Sequence, residues 1–481
     1  MIPSPFDPET FREQGRSLVD HLADYLHRAL RGELPVLPWR PPAELAAAWE
    51  TPFSEAPDSD PRALHDLFAR VVAEANHLHH PRYVGHQVTP PLPFAALADL
   101  VSALLNNSMA VYEMGPSGTA IERTVIRFLA TRLGYGPDAD GVLTHGGSIG
   151  NLTALLAARQ AKAGFDAWTE GSAAGPPLAV LGSAQAHYCV ARAAQIMGWG
   201  KGGFVPVPVD DRFRLRPEAL DAAFTRAVDA GRKPIVVAAS ACSTATGSFD
   251  PLPEIASFCE ERGIWLHVDG AHGASAALSE KTRHLVAGIE RADSVVWDAH
   301  KMMLVPGLVT AVLFRDGARS YQAFAQEASY LFEGQDPAEE WFNIGTRTLE
   351  CTKRMLGLKL YAVLAIHGTR FFGDYVADTF DRARRFAERL AREPDFEIAI
   401  PPQCNIVCFR HRPEGATDLD ALQITLRRRL IEDGSFYLVQ TRLPAGIFLR
   451  ITIINPATSD TDLDALVHRL RETAQRMATG A

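Results

Sequence analysis

The sequence lacks the marks of an extracellular, membrane or nucleic-acid-binding protein. It has only six cysteines in 481 residues (Cys189, Cys242, Cys259, Cys351, Cys404 and Cys408), and no CxxC pair among them. Cys404 and Cys408 stand four apart, but no histidine pair accompanies them at zinc-site spacing. Neither a disulfide framework nor a metal site is therefore expected. The cysteines read instead as small apolar side chains in a reducing compartment. Long lysine and arginine runs are also missing. With 48 basic against 57 acidic residues the net charge is −9, which argues against a nucleic-acid partner. No apolar stretch reaches the ~18 residues a membrane span needs. Met1 to Asp7 has neither a basic start nor an apolar stretch of the secretory kind. These absences predict a cytoplasmic chain without membrane or nucleic-acid partners.

What remains is ordinary globular composition, 47% hydrophobic and 22% charged, at a length that suits several domains. Residues 8–32 carry Phe11, Leu18, Leu22, Tyr25, Leu26 and Leu30 at helical spacing. Residues 34–42 hold four prolines and read as an extended strap. Helix and strap suit packing on a partner subunit or on their own domain. Between about residues 90 and 315, β-rich runs at 141–144, 178–181, 205–207, 234–239, 264–268, 294–297 and 310–314 alternate with helical patterns such as 151–163 and 251–262. That alternation predicts an α/β fold with a mostly parallel, doubly wound sheet. Ligands of such sheets bind at the carboxyl edge of the strands. After residue 366, charged helices separate strands at 396–400, 406–410 and 447–453, the pattern of a smaller α+β domain. The expected division is 1–88 (helical, dimerising), 89–365 (large, ligand-binding) and 366–481 (small).

Four segments carry chemistry. In Ser294-Val295-Val296-Trp297-Asp298-Ala299-His300-Lys301, a lysine follows a β-run closely enough to be desolvated, which lowers an ammonium's pKa. Such a lysine readily forms an imine with a carbonyl, although taken alone it also suits a surface loop. In Ile264-Trp265-Leu266-His267-Val268-Asp269-Gly270-Ala271-His272-Gly273, an acid ends a strand and small residues follow. A carboxylate there suits the nitrogen of a pyridine cofactor, and the small residues let a flat ring approach. A helix N-cap is the competing role for Asp269. Leu143-Thr144-His145-Gly146-Gly147-Ser148-Ile149-Gly150-Asn151 is a glycine-rich strand-to-helix turn whose free N–H groups suit a phosphate. It fits neither GxxxxGK[ST] nor GxGxxG, so a nucleotide fold is not supported. In Gln185-Ala186-His187-Tyr188, a histidine just after a strand could stack on a ring, or cap a helix or fill the core.

In this order and spacing the segments resemble the group II pyridoxal-5′-phosphate (PLP) dependent decarboxylases. That family includes aromatic L-amino-acid, glutamate, cysteine-sulfinate and diaminobutyrate decarboxylases, and the resemblance runs from about Phe11 to Leu470. Asp298-Ala299-His300-Lys301 is similar to the family's Asn/Asp-Pro-His-Lys, with alanine in place of proline. His267-Val268-Asp269-Gly270-Ala271-His272-Gly273 matches its His-Val-Asp-Ala-Ala-Trp/His-Gly stretch. His187-Tyr188, with Gly198 after it, is similar to the ring-stacking histidine region. The run from Ala241 to Pro251 is similar to a Gly-Thr-Thr segment, with Cys242 for glycine. By position Thr244 offers a hydroxyl near the ring or substrate, and Ser243 is the alternative. Ser329-Tyr330-Leu331-Phe332 resembles the mobile catalytic loop. The segment from His80 to Gln87 resembles one that leads into the substrate pocket, with His86 where glutamate-selective members have asparagine. Phe448-Leu449-Arg450-Ile451 resembles the segment whose arginine binds a substrate carboxylate, and an interdomain salt bridge is the other role open to Arg450.

The resemblance implies a fold-type-I PLP enzyme with a seven-stranded large-domain sheet. Its product would be the amine and carbon dioxide from an L-amino acid. The implied catalytic residues are Lys301, His187 and Tyr330. Gly147, Ser148, His187, Thr244, Asp269, Ala271, Asp298, His300 and Lys301 would hold the cofactor, and His86 and Arg450 the substrate. Gln87, Tyr112 and His272 are further pocket candidates. The partners implied are the amino-acid substrate and a second copy of the chain, in a homodimer with shared active sites. Oxidative aldehyde formation, transamination and a non-catalytic PLP-binding regulator are the alternatives.

Overall fold

A computed structural model describes residues 5–56, 60, 62–324 and 341–479. In chain order its principal elements begin with helices α1 (Pro8–Leu30), α2 (Pro42–Trp49), α3 (Ala63–Glu74), α4 (Pro93–Leu105) and α5 (Pro116–Arg132). An alternating series follows: β1 (Asp140–Thr144), α6 (Gly147–Lys162), β2 (Leu178–Ser183), α7 (Tyr188–Ile196), β3 (Phe204–Val207), α8 (Leu220–Asp229), β4 (Lys233–Ser240), α9 (Leu252–Arg262), β5 (Trp265–Asp269), β6 (Ser294–Asp298), α10 (Ala299–Met302) and β7 (Thr310–Phe314). The chain closes with α11 (Leu356–Leu390), β8 (Phe396–Ile398), β9 (Ile406–His411), α12 (Leu419–Glu432), β10 (Val439–Leu443), β11 (Gly446–Thr452) and α13 (Asp460–Thr479). None of the helices among the described residues is long and apolar enough to cross a membrane.

The chain divides into two compact units. One comprises Gln87–Arg384 and Ile400–Ile406. Its seven-stranded sheet has the order β1-β7-β6-β5-β4-β2-β3. All neighbours pair in parallel except that β7 runs against both β6 and β1. Strands such as β5 and β6 are buried at every position. Helices cover both faces of such a sheet, so its strands read as continuous apolar runs. Val180, Val236, Trp265, Val296 and Val312 join Leu155 and Ala158 of α6 in the core. Gly150 lets α6 lie close, since a Cβ there would fall 2.9 Å from Thr310 Cγ2. The sequence pattern predicts a helix from residue 151, but α6 begins at Gly147. Gly146, at φ +99°, makes the turn on its own, so the glycines beyond it are already helical.

The other unit comprises Met1–His86, Arg385–Ala399 and Val407–Ala481. A four-stranded sheet with the order β10-β11-β9-β8 packs beside α12. The proline-rich strap packs on this unit: Val36 N–H donates to Gly434 O at 2.8 Å, and His77 N–H to Val36 O at 2.9 Å. Further along, Asn455 Nδ2 donates to His80 O at 2.8 Å. Phe11, Leu22 and Leu30 of α1 stay exposed. β10 carries Gln440, Thr441 and Arg442 between apolar ends, so the sequence shows no apolar run there.

Candidate active site

β1, β2, β4, β5 and β6 point the same way, so the segments after them meet at one edge of the sheet. β1 delivers the start of α6, and β2 delivers His187 four residues beyond its end. β4 leads to Thr244, while β5 and β6 end on Asp269 and Asp298. Gly147, Ser148, His187, Thr244, Asp269 and Ala271 line one cavity of about 160 Å³ with Asp298, His300 and Lys301. Asn151, Cys189 and Cys242 complete its wall together with Gln87 and His272.

Lys301 sits in the short helix α10 with its side chain only 21% exposed, and its Nζ lies 2.9 Å from Asp298 Oδ2. Asp298 is buried. Its Oδ1 accepts a hydrogen bond from Thr310 Oγ1, and His300 Nε2 lies 3.6 Å from its Oδ2. The expectation that burial lowers the lysine's pKa needs correction. Loss of water does pull it down, but Asp298 and Asp269 outweigh that and hold it above the ordinary value. Burial pushes the Asp298 pKa up in turn, and Lys301 and His300 bring it below the usual carboxylate range. Ala299, where the resemblance would place proline, donates its N–H to Val309 O at 3.0 Å, a bond proline cannot make.

Asp269 and His187 each combine a local role with a place on the cavity wall. Asp269 Oδ1 accepts from Ala271 N–H at 3.2 Å, which fixes the carboxylate's direction. His187 is the N-cap of α7, and its Nδ1 accepts from Cys189 N–H at 3.4 Å. Burial lowers the His187 pKa and the nearby Asp269 only partly restores it, so the ring is neutral near pH 7. Its proton then lies on Nε2. Among the described residues, potential ligand atoms of His187, Cys189 and Asp269 all lie within 4.8 Å of one another.

A chain of hydrogen bonds runs beneath the cavity. Trp265 Nε1 donates to Ser294 Oγ (2.8 Å), and Ser294 Oγ meets His267 Nδ1 (2.9 Å). His267 Nε2 meets Asn151 Oδ1 (2.8 Å), and Asn151 Nδ2 donates to Gly147 O (2.8 Å). An amide oxygen can only accept, so Nε2 carries the imidazole proton and Nδ1 accepts from the serine. Burial pushes the His267 pKa down to about 4, consistent with that neutral form.

The remaining expectations divide. Thr244 lies on the cavity wall, whereas Ser243 Oγ turns to Thr246 Oγ1 at 2.9 Å within its own loop. Gln87 and His272 line the cavity. Tyr112 does not; its backbone N–H goes to Asn343 Oδ1 and its ring meets that of Phe342 at 5.6 Å. Tyr330 lies outside the described residues. His86 and Arg450 both belong to the other unit. There the His86 ring leans on Tyr437 at 5.9 Å, and Tyr437 stacks on Tyr83 at 5.3 Å. Gly85 permits this, because a Cβ would meet the Tyr437 ring at 2.3 Å. Partial burial, then the charges of Arg450 and Arg427, lower the His86 pKa. Asn151, Cys189 and Cys242 were missed as lining. Asn151 carries the one available signal, a polar residue four positions into a helix that starts with glycines.

A lysine, a strand-end carboxylate, a neutral histidine and a helix N-terminus at the carboxyl edge of a seven-stranded sheet define a class, the fold-type-I PLP enzymes. Residues 42–412 match the family model described as the pyridoxal-dependent decarboxylase conserved domain, and the chain belongs to that family. It is 29% identical over 452 residues to human cysteine sulfinic acid decarboxylase, covering 92% of this chain and 91% of that one. An L-aspartate decarboxylase of Metarhizium robertsii is 33% identical over 368 residues, 75% of this chain and 73% of that one. The crystal structure of mouse CSAD superposes with a TM-score of 0.91 at 27% identity, over 97% of this chain and 99% of that one.

The residues present fit PLP. Gly146 has no side chain with which to cap α6, and the first N–H groups of a helix have no carbonyl partner within it. These groups suit a phosphate dianion. Gly147 lets the start of α6 lie close to Asp298, since a Cβ there would fall 3.2 Å from Asp298 Oδ2. The same cavity supplies an amine for an aldehyde and a carboxylate for a ring nitrogen.

Proposed function

We propose that this chain removes the α-carboxylate of an L-amino acid as carbon dioxide, with PLP held by Lys301. The observation that carries this reading is the single cavity lined by Lys301, Asp269, His187, Ala271 and the start of α6. When bound, PLP supplies an electron sink for the pair left on Cα. Asp269 would hold the proton on the ring nitrogen, and His187 and the small Ala271 would border the ring. Gly147 and Ser148 would hold the phosphate through their N–H groups, and Thr244 would offer its hydroxyl to the ring or substrate. Asp298 and His300 orient Lys301. Tyr330 delivers a proton to Cα.

For the substrate side chain we propose a short acidic group, read by Arg450 with His86. Support comes from the two arginines whose charges act on His86 and from the relatives named for cysteine sulfinate and aspartate. A homodimer is supported by Phe94, Leu97, Leu100, Leu104 and Leu105 of α4, all exposed. A cytoplasmic location is supported by six scattered cysteines without CxxC spacing in the sequence.

A panel of the twenty amino acids plus cysteine sulfinate and diaminobutyrate, assayed for carbon dioxide, amine, aldehyde and keto acid, tests the reading. Carbon dioxide and amine in equal amounts, fastest from aspartate or cysteine sulfinate, is the expected result. Keto acid without carbon dioxide would replace decarboxylation by transamination. Preference for an aromatic substrate would remove the assignment of Arg450.

A further inference from the structure

We infer that His267 and Asn151 are positioning residues for the cofactor's phosphate, and that the chain Trp265–Ser294–His267–Asn151–Gly147 is a device for aiming the first N–H groups of α6. Every donor in it has one acceptor, and the order is fixed. The indole N–H at one end can only donate and the Asn151 Oδ1 facing the imidazole can only accept, so the hydroxyl and the imidazole between them must each pass a hydrogen bond along, and Asn151 Nδ2 gives the last one to Gly147 O. His267 and Ser294 are fully buried and Asn151 nearly so. An unsatisfied member would therefore lose a hydrogen bond without gaining one from water.

The chain crosses three elements: it starts on β5, steps to β6, returns to β5 and ends on α6. Its last bond holds the carbonyl of Gly147 in the first turn, which fixes the plane of the Gly147–Ser148 peptide. The N–H of Ser148 belongs to that peptide, so its direction is set by the Asn151 side chain with His267 behind it. Side-chain anchoring of this kind suits a phosphate, whose recognition by backbone N–H groups depends on their angles.

This inference rests on the PLP reading, and the test separates the two. Cofactor-free protein is reloaded with PLP or with pyridoxal, which lacks the phosphate, and the visible absorbance gives a dissociation constant for each. Asn151→Ala should weaken PLP about tenfold, the loss of roughly one hydrogen bond, and leave pyridoxal within a factor of two. Ser294→Ala, at the far end of the chain, should show the same selectivity more weakly and serves if Asn151→Ala does not fold. His267→Gln, which keeps an N–H donor, should restore most of the PLP affinity lost in His267→Leu. Equal weakening of PLP and pyridoxal, or no change in either, overturns the positioning role. Absence of any visible band from the unsubstituted protein would overturn the PLP reading instead.

Discussion

Asp298 governs the behaviour of Lys301 in this site. Its carboxylate, 2.9 Å from Nζ, offsets the desolvation that would otherwise free the amine of its proton. Removing that charge should lower the lysine's pKa and let the free amine form at lower pH. In Asp298→Asn, the pH midpoint for the rate of cofactor reloading should fall by roughly one unit or more. Stopped-flow absorbance between pH 6 and 10 reads it, and an unmoved midpoint would remove Asp298 from this role. At this scale the sequence was informative where a residue's own strand announced it, as for Lys301, Asp269 and His187. For His187 the capping role and the place in the cavity coexist, whereas Asp269 caps no helix and accepts from Ala271 N–H instead. What stayed hidden were partners brought together across strands, such as Asn151 with His267, which stand 116 positions apart.

At the scale of elements, α6 and the strands beneath it are joined through a neutral, buried His267. Its folded pKa of about 4 lies below the ordinary 6.5. As pH falls through 6.5 the unfolded chain binds a proton that the folded chain refuses, so stability declines from there toward pH 4. The share of this histidine is about 2 kcal/mol between pH 7 and pH 5. Urea unfolding at both pH values should show a loss smaller by about that amount in His267→Gln. An equal loss in both proteins would contradict the linkage. His80, whose pKa burial likewise pushes down to about 4, contributes to both proteins alike. The strands of the large sheet were legible from apolar runs because both faces are covered. The start of α6 was misplaced because glycine has low helix propensity, yet here the turn geometry recruits it.

At the scale of the molecule, the apolar residues of α4 are accounted for by the proposed dimer. Leu104 is 66% exposed, and Leu104→Glu should shift sedimentation from twice the chain mass toward a single chain. A wild-type protein that sediments as a single chain would remove the dimer. The α/β fold with its mostly parallel sheet was readable from alternation along the chain. The grouping of the N-terminal segment with the C-terminal sheet was not, since it depends on backbone bonds such as Asn455 to His80 that leave no periodic trace.

Every role proposed for the cavity depends on Lys301 carrying the cofactor. Borohydride reduction of the purified protein followed by proteolysis and mass spectrometry tests it most directly. The expected result is a phosphopyridoxyl group on the peptide containing Lys301, loss of the visible band, and neither label nor band in Lys301→Ala. A label on another lysine, or an unlabelled protein that still decarboxylates, would contradict it.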